Sequence, residues 1–459
     1  MYDMADRFNS LRQDLRAATK NLKQSGEEIK RRLYYRRKGW QADRSHDPPD
    51  GSLSKVPGAP DHVLFVIIDA LRPDSQPLPN LDCEWTTAIA PSTWTFPSVT
   101  SLLTGCYPHQ HGAVAHTAPS DEEFAMPTQT TVEDRLPKTF EAAGYETFGA
   151  FAFSMAFLAT RGWFQTHRIY SDADAEQVLE AYKTWRQGKE QTFAYLHLGD
   201  LHAPLCPPDP YVTKHDVDTA LPDLERIAAY TSDYTGTEEQ RYYRSQKRRL
   251  YNAGLDYVTD CLAEAVDTMW ADTLIVLTGD HGEALYEHAD IDRRFTDSRG
   301  HNGVGHGGTP LDQVARVPLA VAHPDHDLLP EGGWASLCDL PVTLTDSCLE
   351  TELNWRVGRP WQHRIPSDRV VICEGVRYGV ERKAAYRDEQ KIVYSRADDA
   401  AYCARVTPGS RDEEILPTTE PDDDLLSCLP DAWGEGMTWT SDGDVGPRVE
   451  NHLRSLGYR

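Results

Sequence analysis

Four long apolar runs are the feature that most restricts the fold of this chain. They read HVLFVII, TFAYLHL, TLIVLT and RVPLAVA and cover residues 62–68, 192–198, 273–278 and 316–322. Apolar runs without polar alternation are typical of central strands in a parallel sheet that is covered on both faces. Helical patterns lie between the runs, for example at residues 131–144 and 240–272. This alternation predicts an α/β fold with a doubly wound, mostly parallel sheet.

The composition of the chain changes towards both ends. Residues 1–45 hold twelve Lys and Arg against six Asp and Glu, which predicts a basic helical extension. Residues 46–60 are rich in Pro, Gly and Ser and predict a linker. From residue 366 onward, short strand-like stretches and then an acidic stretch predict a small C-terminal α+β subdomain with a tail, over residues 366–459. The main α/β domain is therefore expected over residues 61–365.

The basic segment, and residues 20–40 in particular, has two interpretations. Its Arg and Lys side chains, with Tyr34, Tyr35 and Trp40 nearby, suit peripheral contact with an anionic membrane or a polyanion. A solvated helix that packs on the main body explains the same residues more simply.

The overall charge and hydropathy restrict the partners and the location. The net charge of −25 disfavours nucleic acid as a ligand. The sequence contains no run that approaches the roughly 20 apolar residues of a membrane span and no apolar stretch that resembles a signal peptide. We therefore expect a cytoplasmic protein.

Acidic residues follow three of the four apolar runs. They are Asp69, Asp200 and Asp280, and His281 follows Asp280 directly. Ligands of open α/β sheets bind outside the carboxyl ends of the strands, so these side chains are expected to share one crevice. A carboxylate beside an imidazole suits a divalent cation such as Zn or Mn. A single Asp at a strand end is usually a helix cap, but three at parallel strand ends predict a metal-binding site.

Five segments, in this order, resemble the landmarks of the sulfatase branch of the alkaline phosphatase superfamily. They cover about residues 60–325 and read VIIDALRPD, SLLTGCYPHQHG, LHLGDLHAP, LTGDHGEALYEH and GHGGTPLDQVARVPLAV. The resemblance implies a hydrolase of phosphate or sulfate esters. It also implies one divalent cation (Zn, Mn, Ca or Mg) bound by Asp69, Thr95, Asp280 and His281.

The resemblance places Thr95 at the nucleophile position. Sulfatases carry a cysteine there, which matures to formylglycine, whereas threonine cannot be converted in this way. Threonine serves as the nucleophile in phosphodiesterase and phosphotransferase branches of the superfamily, and a bound cation would activate its hydroxyl. A second interpretation makes Thr95 a helix cap with Pro97 in the first turn, and the two roles do not exclude each other.

Several positions depart from the family pattern. Ala70 stands where a second acid is usual, and Val99 stands where the nucleophile motif ends in arginine. Residues 149–154, GAFAFS, lack the lysine of a later motif, and His306 replaces another lysine. At least two cations that would hold a sulfuryl group are thus missing. Because metals commonly stabilise the more highly charged phosphoryl group, phosphoester cleavage is favoured.

Two histidines complete the set of candidates. His202 and His306 are expected to contact the substrate or to protonate its leaving group. Together with Asp200, His306 is also a candidate ligand of a possible second metal. The expected substrate is a small-molecule, glycan or lipid ester. The alternatives are a phospho-headgroup transferase acting on a glycan or lipid, a sulfuric ester hydrolase and an inactive binding homologue.

Overall fold

A seven-stranded sheet forms the centre of the protein. The computed structural model describes residues 29–433, except for residues 76–83, 115–126, 128, 171, 227–235, 267–271, 298–300, 324–327, 352–356, 376, 379, 409–412 and 417–420. In spatial order the strands are β3 (Thr86–Ile89), β10 (Arg316–Ala322), β7 (Thr273–Thr278), β2 (His62–Ile68), β6 (Thr192–Leu198), β4 (Glu146–Phe151) and β5 (Thr166–Ile169). The neighbours from β7 to β5 all pair in parallel. The predicted α/β fold with a mostly parallel sheet is confirmed.

The three strands in the middle of this sheet place the site. Every residue of β2, β6 and β7 is buried, which explains why their sequences show no polar alternation. His62 lies opposite both Thr192 of β6 and Thr273 of β7. Because the three strands start in register and run the same way, their carboxyl ends lie side by side.

Strand β10 runs in the direction that the sequence did not predict. The run at residues 316–322 was expected to be a parallel strand, but β10 pairs antiparallel with both β7 and β3. Thr278, the last residue of β7, lies opposite Leu319 of β10, so the chain enters β10 at the edge where it left β7. An antiparallel partner needs no crossover through a helix, and an apolar run does not encode direction.

Helices cover the sheet. Helix α2 packs against α4, α5 and α11, whereas α6 packs against β6 and α8. None of the helices within the described ranges combines the length and the hydropathy that crossing a membrane requires. The helices are α1 (residues 29–44), α2 (Thr95–Thr104), α3 (Pro108–His111), α4 (Leu136–Ala142), α5 (Ser154–Thr160), α6 (Ala175–Arg186), α7 (Asp209–Lys214), α8 (Glu238–Val266), α9 (Ala289–Asp292), α10 (Asp312–Ala315), α11 (Leu340–Cys348) and α12 (Asp423–Leu426), with a 3-10 turn at Leu337–Asp339.

A second, antiparallel sheet follows in the C-terminal part of the chain. Its strands, in order, are β12 (Val371–Gly375), β13 (Arg382–Arg387), β14 (Gln390–Ser395), β15 (Ala400–Val406) and β16 (Glu413–Ile415). It is joined to the segment before α2, because Ser92 Oγ donates to the Glu374 carbonyl at 2.7 Å. The short strands predicted after residue 366 are therefore present, and the domain boundaries themselves stay a prediction.

Two short strand pairs complete the fold. One joins β1 (Ser54–Lys55), within the predicted linker, to β11 (Leu349–Glu350). The other is a hairpin of β8 (Ala284–Leu285) and β9 (Val304–Gly305) in the excursion between β7 and β10.

The basic N-terminal segment packs on the main body from residue 29 onward. Tyr35 and Ala42 of α1 are buried in the core. An ideal Cβ on Gly39 would lie 3.0 Å from the carbonyl oxygen of His167, so this face of α1 touches β5 closely. The Asp43 carboxylate also accepts a hydrogen bond from the His167 backbone at 2.6 Å. These contacts match the packed-helix interpretation for one face of α1, and residues 1–28 lie outside the described part of the chain.

Candidate active site

Three of the predicted metal ligands meet at the carboxyl edge of the central sheet. Asp69 follows β2 directly, and Asp280 and His281 follow β7 after one glycine. Since β2 and β7 are parallel neighbours, the residues beyond them emerge together. All three side chains are completely buried. Each offers a ligand atom within 4.8 Å of the others, the distance expected of groups that share one ion.

Thr95, the predicted nucleophile, points its hydroxyl into the same cluster. Thr95 Oγ1 donates to Asp69 Oδ2 at 3.1 Å and lies 3.3 Å from His281 Nε2. The N-cap of α2 is Trp94, so Thr95 is the first helical residue and does not occupy the cap position that one interpretation gave it. Pro97 lies in the first turn, as expected. The helix thus presents the Thr95 hydroxyl to the carboxylate and the imidazole.

The protonation of His281 leaves one ring nitrogen available as a ligand. His281 Nδ1–H donates to the Gly282 carbonyl at 2.9 Å, which places the lone pair of the neutral ring on Nε2. Nε2 lies 3.7 Å from Asp69 Oδ1 and 3.6 Å from Asp280 Oδ2. Both of these carboxylate oxygens are buried, and neither accepts a hydrogen bond from any described residue. A buried oxygen without a partner is costly, so this donor set fits a divalent cation.

The two carboxylates of the cluster differ in their proton affinity. Burial, followed by repulsion from Asp69, raises the pKa of Asp280 well above its ordinary value. Burial acts in the same direction on Asp69, but attraction to His202 in its protonated form and the hydrogen bond from His197 together lower the pKa of Asp69 below its usual range. Two buried carboxylates this close do not ionise together readily, and a cation between them would favour the doubly ionised form.

His306 and His202 join the cluster from two loops. The ring centroid of His306 lies 4.4 Å from that of His281 and 5.0 Å from that of His202. The β8–β9 hairpin places His306 opposite Glu283, and His306 Nδ1 lies 2.6 Å from Glu283 Oε2. Both predicted histidines are therefore beside the cluster that contains Thr95.

The two histidines have different proton chemistry. His202 Nδ1–H donates to the Ala203 carbonyl at 2.6 Å, and burial lowers its pKa to about 4, so the ring is neutral at pH 7. Burial raises the pKa of Glu283, the partner of His306, to about 7. Glu283 can therefore change its protonation near neutral pH in contact with His306 Nδ1, whereas His202 is an acceptor at Nε2.

Asp200, a candidate ligand of a second metal, lies beside the start of α6. Its Oδ1 accepts a hydrogen bond from the backbone N–H of Ala175, the first residue of α6, at 3.2 Å. Within the described ranges the one group of three potential metal ligands is Asp69, Asp280 and His281. The second metal site suggested for Asp200 and His306 stays a prediction. This strand-end carboxylate serves a helix N-terminus, where exposed N–H groups need acceptors.

The sequence analysis missed His197, which forms a hydrogen bond to Asp69 from within the central sheet. His197 lies in β6 and is completely buried, and its Nε2–H donates to Asp69 Oδ2 at 3.0 Å. Since Nε2 carries the proton, Nδ1 accepts from the Tyr195 hydroxyl at 2.9 Å. A signal was present, because Tyr195 and His197 alternate on one face of an otherwise apolar strand. A buried histidine at such a position needs polar partners.

The departures from the family pattern leave the cluster without nearby cations at the expected positions. Ala70 and Val99 are both completely buried. Ala70 has a left-handed backbone with φ of 60°, and its carbonyl accepts from the Tyr251 hydroxyl at 2.9 Å. Arg72, two residues further on, donates to the Asp74 carboxylate at 2.9 Å and to the Glu283 carbonyl at 2.6 Å. Arg72 therefore fixes the turn after Asp69.

Comparison with known proteins places this architecture in one family. A family model described as Sulfatase matches residues 84–328. The phosphonate monoester hydrolase SpPMH from Silicibacter pomeroyi aligns with a TM-score of 0.51 and 17% identity, over 75% of this chain and 89% of that chain. BT1596, a 2-O GAG sulfatase, aligns with a TM-score of 0.51 and 15% identity, over 76% and 85% of the two chains. BT4656, solved with its substrate D-glucosamine-2-N,6-O-disulfate, aligns with a TM-score of 0.52 and 12% identity, over 76% and 91%.

These likenesses differ in what they establish. At such identities the solved structures show the fold, whereas the family model covers more than half of the chain and includes Thr95, Asp280 and His281. No curated protein sequence matches the chain.

Proposed function

Because the chain belongs to the sulfatase family and is an ester-hydrolysing enzyme, we propose that it cleaves phosphate-type esters with Thr95 as the nucleophile. One observation carries the proposal. The Thr95 hydroxyl lies 3.1 Å from Asp69 Oδ2 and 3.3 Å from His281 Nε2, in a buried cluster beside two further histidines. A threonine cannot mature to formylglycine, so the hydroxyl itself is the available nucleophile.

We propose that Asp69, Asp280 and His281 hold one divalent cation, with Thr95 beside it. The support is the pair of buried carboxylate oxygens that accept no hydrogen bond from the described residues, together with the lone pair of His281 Nε2. When bound, the cation would supply a Lewis acid for a substrate oxygen and for the Thr95 hydroxyl. Zn, Mn, Ca and Mg are the candidates, and the donor set of two carboxylates and one imidazole suits Zn or Mn best.

The chain's own residues then account for the bond changes. Thr95 Oγ1 forms a bond to the substrate phosphorus while the bond from phosphorus to the leaving oxygen breaks, and the hydroxyl proton departs towards Asp69 Oδ2. His306, whose Nδ1–H is held by Glu283, gives a proton from Nε2 to the leaving oxygen. His202 contacts the substrate oxygens. A water molecule next attacks the phosphorus of the phosphothreonine and gives a proton to His306 Nε2, while the bond from phosphorus to Thr95 Oγ1 breaks. The proton held at Asp69 Oδ2 returns to Oγ1, which restores the Thr95 hydroxyl and frees the phosphate.

The preference for phosphate over sulfate is also part of the proposal. Ala70 and Val99 are buried and uncharged at positions where the family usually has an acid and a cation. The lysines that the family has within residues 149–154 and at the position of His306 are also absent. A sulfuryl group relies on such cations, whereas a phosphoryl group carries more charge and is commonly stabilised by metal. One structural neighbour is a phosphonate monoester hydrolase, which shows that this fold accepts phosphorus-based esters.

Metal content and turnover, measured together, test the proposal. The purified protein is analysed for Zn, Mn, Ca and Mg and then assayed on aryl phosphate monoester, phosphodiester and sulfate ester. We expect metal-dependent phosphoester cleavage that falls at least about 10³-fold in Thr95→Ala and is largely retained in the matched control Thr95→Ser.

Each other outcome corresponds to a different function. Turnover of only the sulfate ester would make the protein a sulfuric ester hydrolase. Turnover that requires an added acceptor hydroxyl would make it a phospho-headgroup transferase acting on a glycan or lipid. Bound metal with no turnover of any of the three esters, with or without an added acceptor, would make it an inactive binding homologue. For a lipid ester or acceptor, peripheral membrane contact through the basic segment at residues 20–40 would bring enzyme and substrate together.

A further inference from the structure

Helix α1 presents an apolar ridge to solvent, made of Ile29, Leu33 and Trp40. Their side chains are 59%, 59% and 55% exposed, and the described residues leave only one other large hydrophobic side chain exposed, that of Tyr242. Because an α-helix turns about 100° per residue, spacings of four and eleven residues place all three within about 40° of one another. They therefore form one stripe along the helix.

Arginines flank the apolar ridge on both sides. All of them are exposed, and they are Arg32, Arg36, Arg37 and Arg44. The guanidinium of Arg44 lies 4.7 Å from the ring centroid of Trp40, so charge and ridge are in contact. Residues 29–44 hold seven Lys and Arg against one Asp, whereas the whole chain has a net charge of −25. The ridge thus lies in a basic patch on an acidic protein.

The opposite face of α1 is firmly attached to the protein. Tyr35 and Ala42 are buried in the core. Asp43 accepts hydrogen bonds from the backbone and from the ring of His167, at 2.6 and 3.0 Å. Just beyond the helix, His46 Nε2 lies 2.7 Å from Glu141 Oε2. Since α1 already buries its own packing face, the apolar ridge is a second apolar surface that the described part of the fold does not use.

We propose that the apolar ridge docks the protein on the surface of an anionic lipid bilayer, with α1 lying flat in the interface. Exposed Ile, Leu and Trp beside Arg is the composition of interfacial helices, in which apolar side chains enter the acyl boundary and arginines meet the headgroups. A nucleic acid or an acidic protein would bind to the arginines and would leave the apolar ridge without a partner. The charge of the patch selects anionic lipid, which the rest of this acidic protein would repel. This proposal does not depend on the chemistry of Thr95.

Vesicle co-sedimentation of the full chain tests the docking surface. We expect binding to vesicles of phosphatidylserine and phosphatidylcholine, little binding to phosphatidylcholine alone, and weaker binding at high salt. The double variant Leu33→Ala, Trp40→Ala and the double variant Arg36→Glu, Arg37→Glu should each bind at least tenfold more weakly. Matched controls on other surfaces are Tyr242→Ala, and Arg364→Glu, whose side chain is 76% exposed. Both controls should bind as the native protein does, and turnover of a soluble ester should be unchanged throughout.

Three results would overturn the proposal. The first is the absence of vesicle binding, with a lower thermal stability in Leu33→Ala, Trp40→Ala, which would mean that another segment of the chain covers the ridge. The second is a native dimer that dissociates in this variant, which would assign the ridge to a second copy of the chain. The third is binding that responds to the arginine changes and not to Leu33 and Trp40, which would indicate a polyanion.

Discussion

Replacement of His197 is the most direct test of how the protein holds Asp69. His197 Nε2–H donates to Asp69 Oδ2 at 3.0 Å inside the sheet, and Tyr195 donates to the other ring nitrogen at 2.9 Å. Thr95 donates to the same Asp69 oxygen. Because two donors occupy Oδ2, the oxygen that remains for a cation is Oδ1. If Asp69 binds a cation as proposed, we expect His197 to act as a positioning residue that leaves Oδ1 as the ligand atom.

The size of the effect follows from the energy of one hydrogen bond. A hydrogen bond to a charged group contributes about 1.5–3 kcal/mol, and a tenfold change in affinity corresponds to about 1.4 kcal/mol. We therefore expect His197→Leu to weaken cation binding by about 10–100-fold, the range found for partners of metal ligands in general. His197→Gln keeps a donor near the position of Nε2 and should recover most of this loss. Tyr195→Phe leaves the bond to Asp69 intact and should have the smaller effect.

Calorimetric titration of the chelator-treated protein with Zn²⁺ or Mn²⁺ provides the measurement. The melting temperature in chelator confirms that each variant folds. The matched control is His62→Leu, because His62 is a buried histidine in the same sheet that bonds to Thr192 at 2.8 Å, at the other end of β2. Native affinity in His197→Leu, or equal losses in the Gln and Leu variants, would refute the reasoning.

Three further predictions concern protons, charge and the second sheet. His111 Nδ1 accepts from the Ala113 N–H at 3.0 Å, and burial lowers the pKa of His111 from 6.5 to about 4. Between these values the unfolded chain binds more protons at this residue, so His111 should contribute a fall of about 3 kcal/mol in the free energy of unfolding as the pH drops through the window. The change in the free energy of unfolding between pH 7 and pH 4.5, from urea titrations, should therefore differ by about this amount between the native protein and His111→Gln, and equal changes would contradict the prediction. Asp280→Asn removes one of two repelling buried carboxylates, so it should raise the melting temperature of the protein in chelator. The variant should show no further increase in melting temperature when cation is added, and an increase as large as that of the native protein would exclude Asp280 as a ligand. Lys391 Nζ lies 3.1 Å from Asp312 Oδ1 and 2.7 Å from Glu413 Oε1, all buried, so Lys391→Met should lower the free energy of unfolding by about 3–5 kcal/mol in denaturant titrations, and an unchanged midpoint would contradict this.

The sequence was sufficient to predict the three middle strands of the central sheet and the acidic residues that follow them. Continuous apolar runs identified β2, β6 and β7, and parallel strands necessarily bring their following residues to one edge. The proximity of Asp69 and Asp280 therefore needed no knowledge of side-chain packing. Thr95 could be added only through the resemblance to a family, since nothing in its own segment distinguishes a nucleophile from an ordinary hydroxyl.

Other features depended on contacts that a sequence pattern does not contain. Asp200 follows a parallel strand as Asp69 does, but the start of α6 lies against it and takes its carboxylate. His197 lies inside an apolar run that was interpreted only as a buried strand. Its hydrogen-bond partner, Asp69, follows the neighbouring strand β2, which the run itself does not indicate. The predicted direction of β10 was wrong because the hydrophobicity of a run is the same in both chain directions. The contacts of Asp200 and His197 and the direction of β10 all depend on which elements pack beside them in the folded protein.

The antiparallel course of β10 has a consequence for how this site could change in evolution. Since the chain leaves β7 and enters β10 at one edge, the segment between these two strands, called here the loop region, begins and ends at the carboxyl edge that carries the cluster. The loop region carries Asp280, His281, Glu283 and His306. Because β7 and β10 are antiparallel, the connection between them does not have to cross a face of the sheet. Insertions or deletions between Glu283 and His306 would therefore change the residues beside the cluster, while the strand order and the positions of Asp69 and Thr95 stayed as they are.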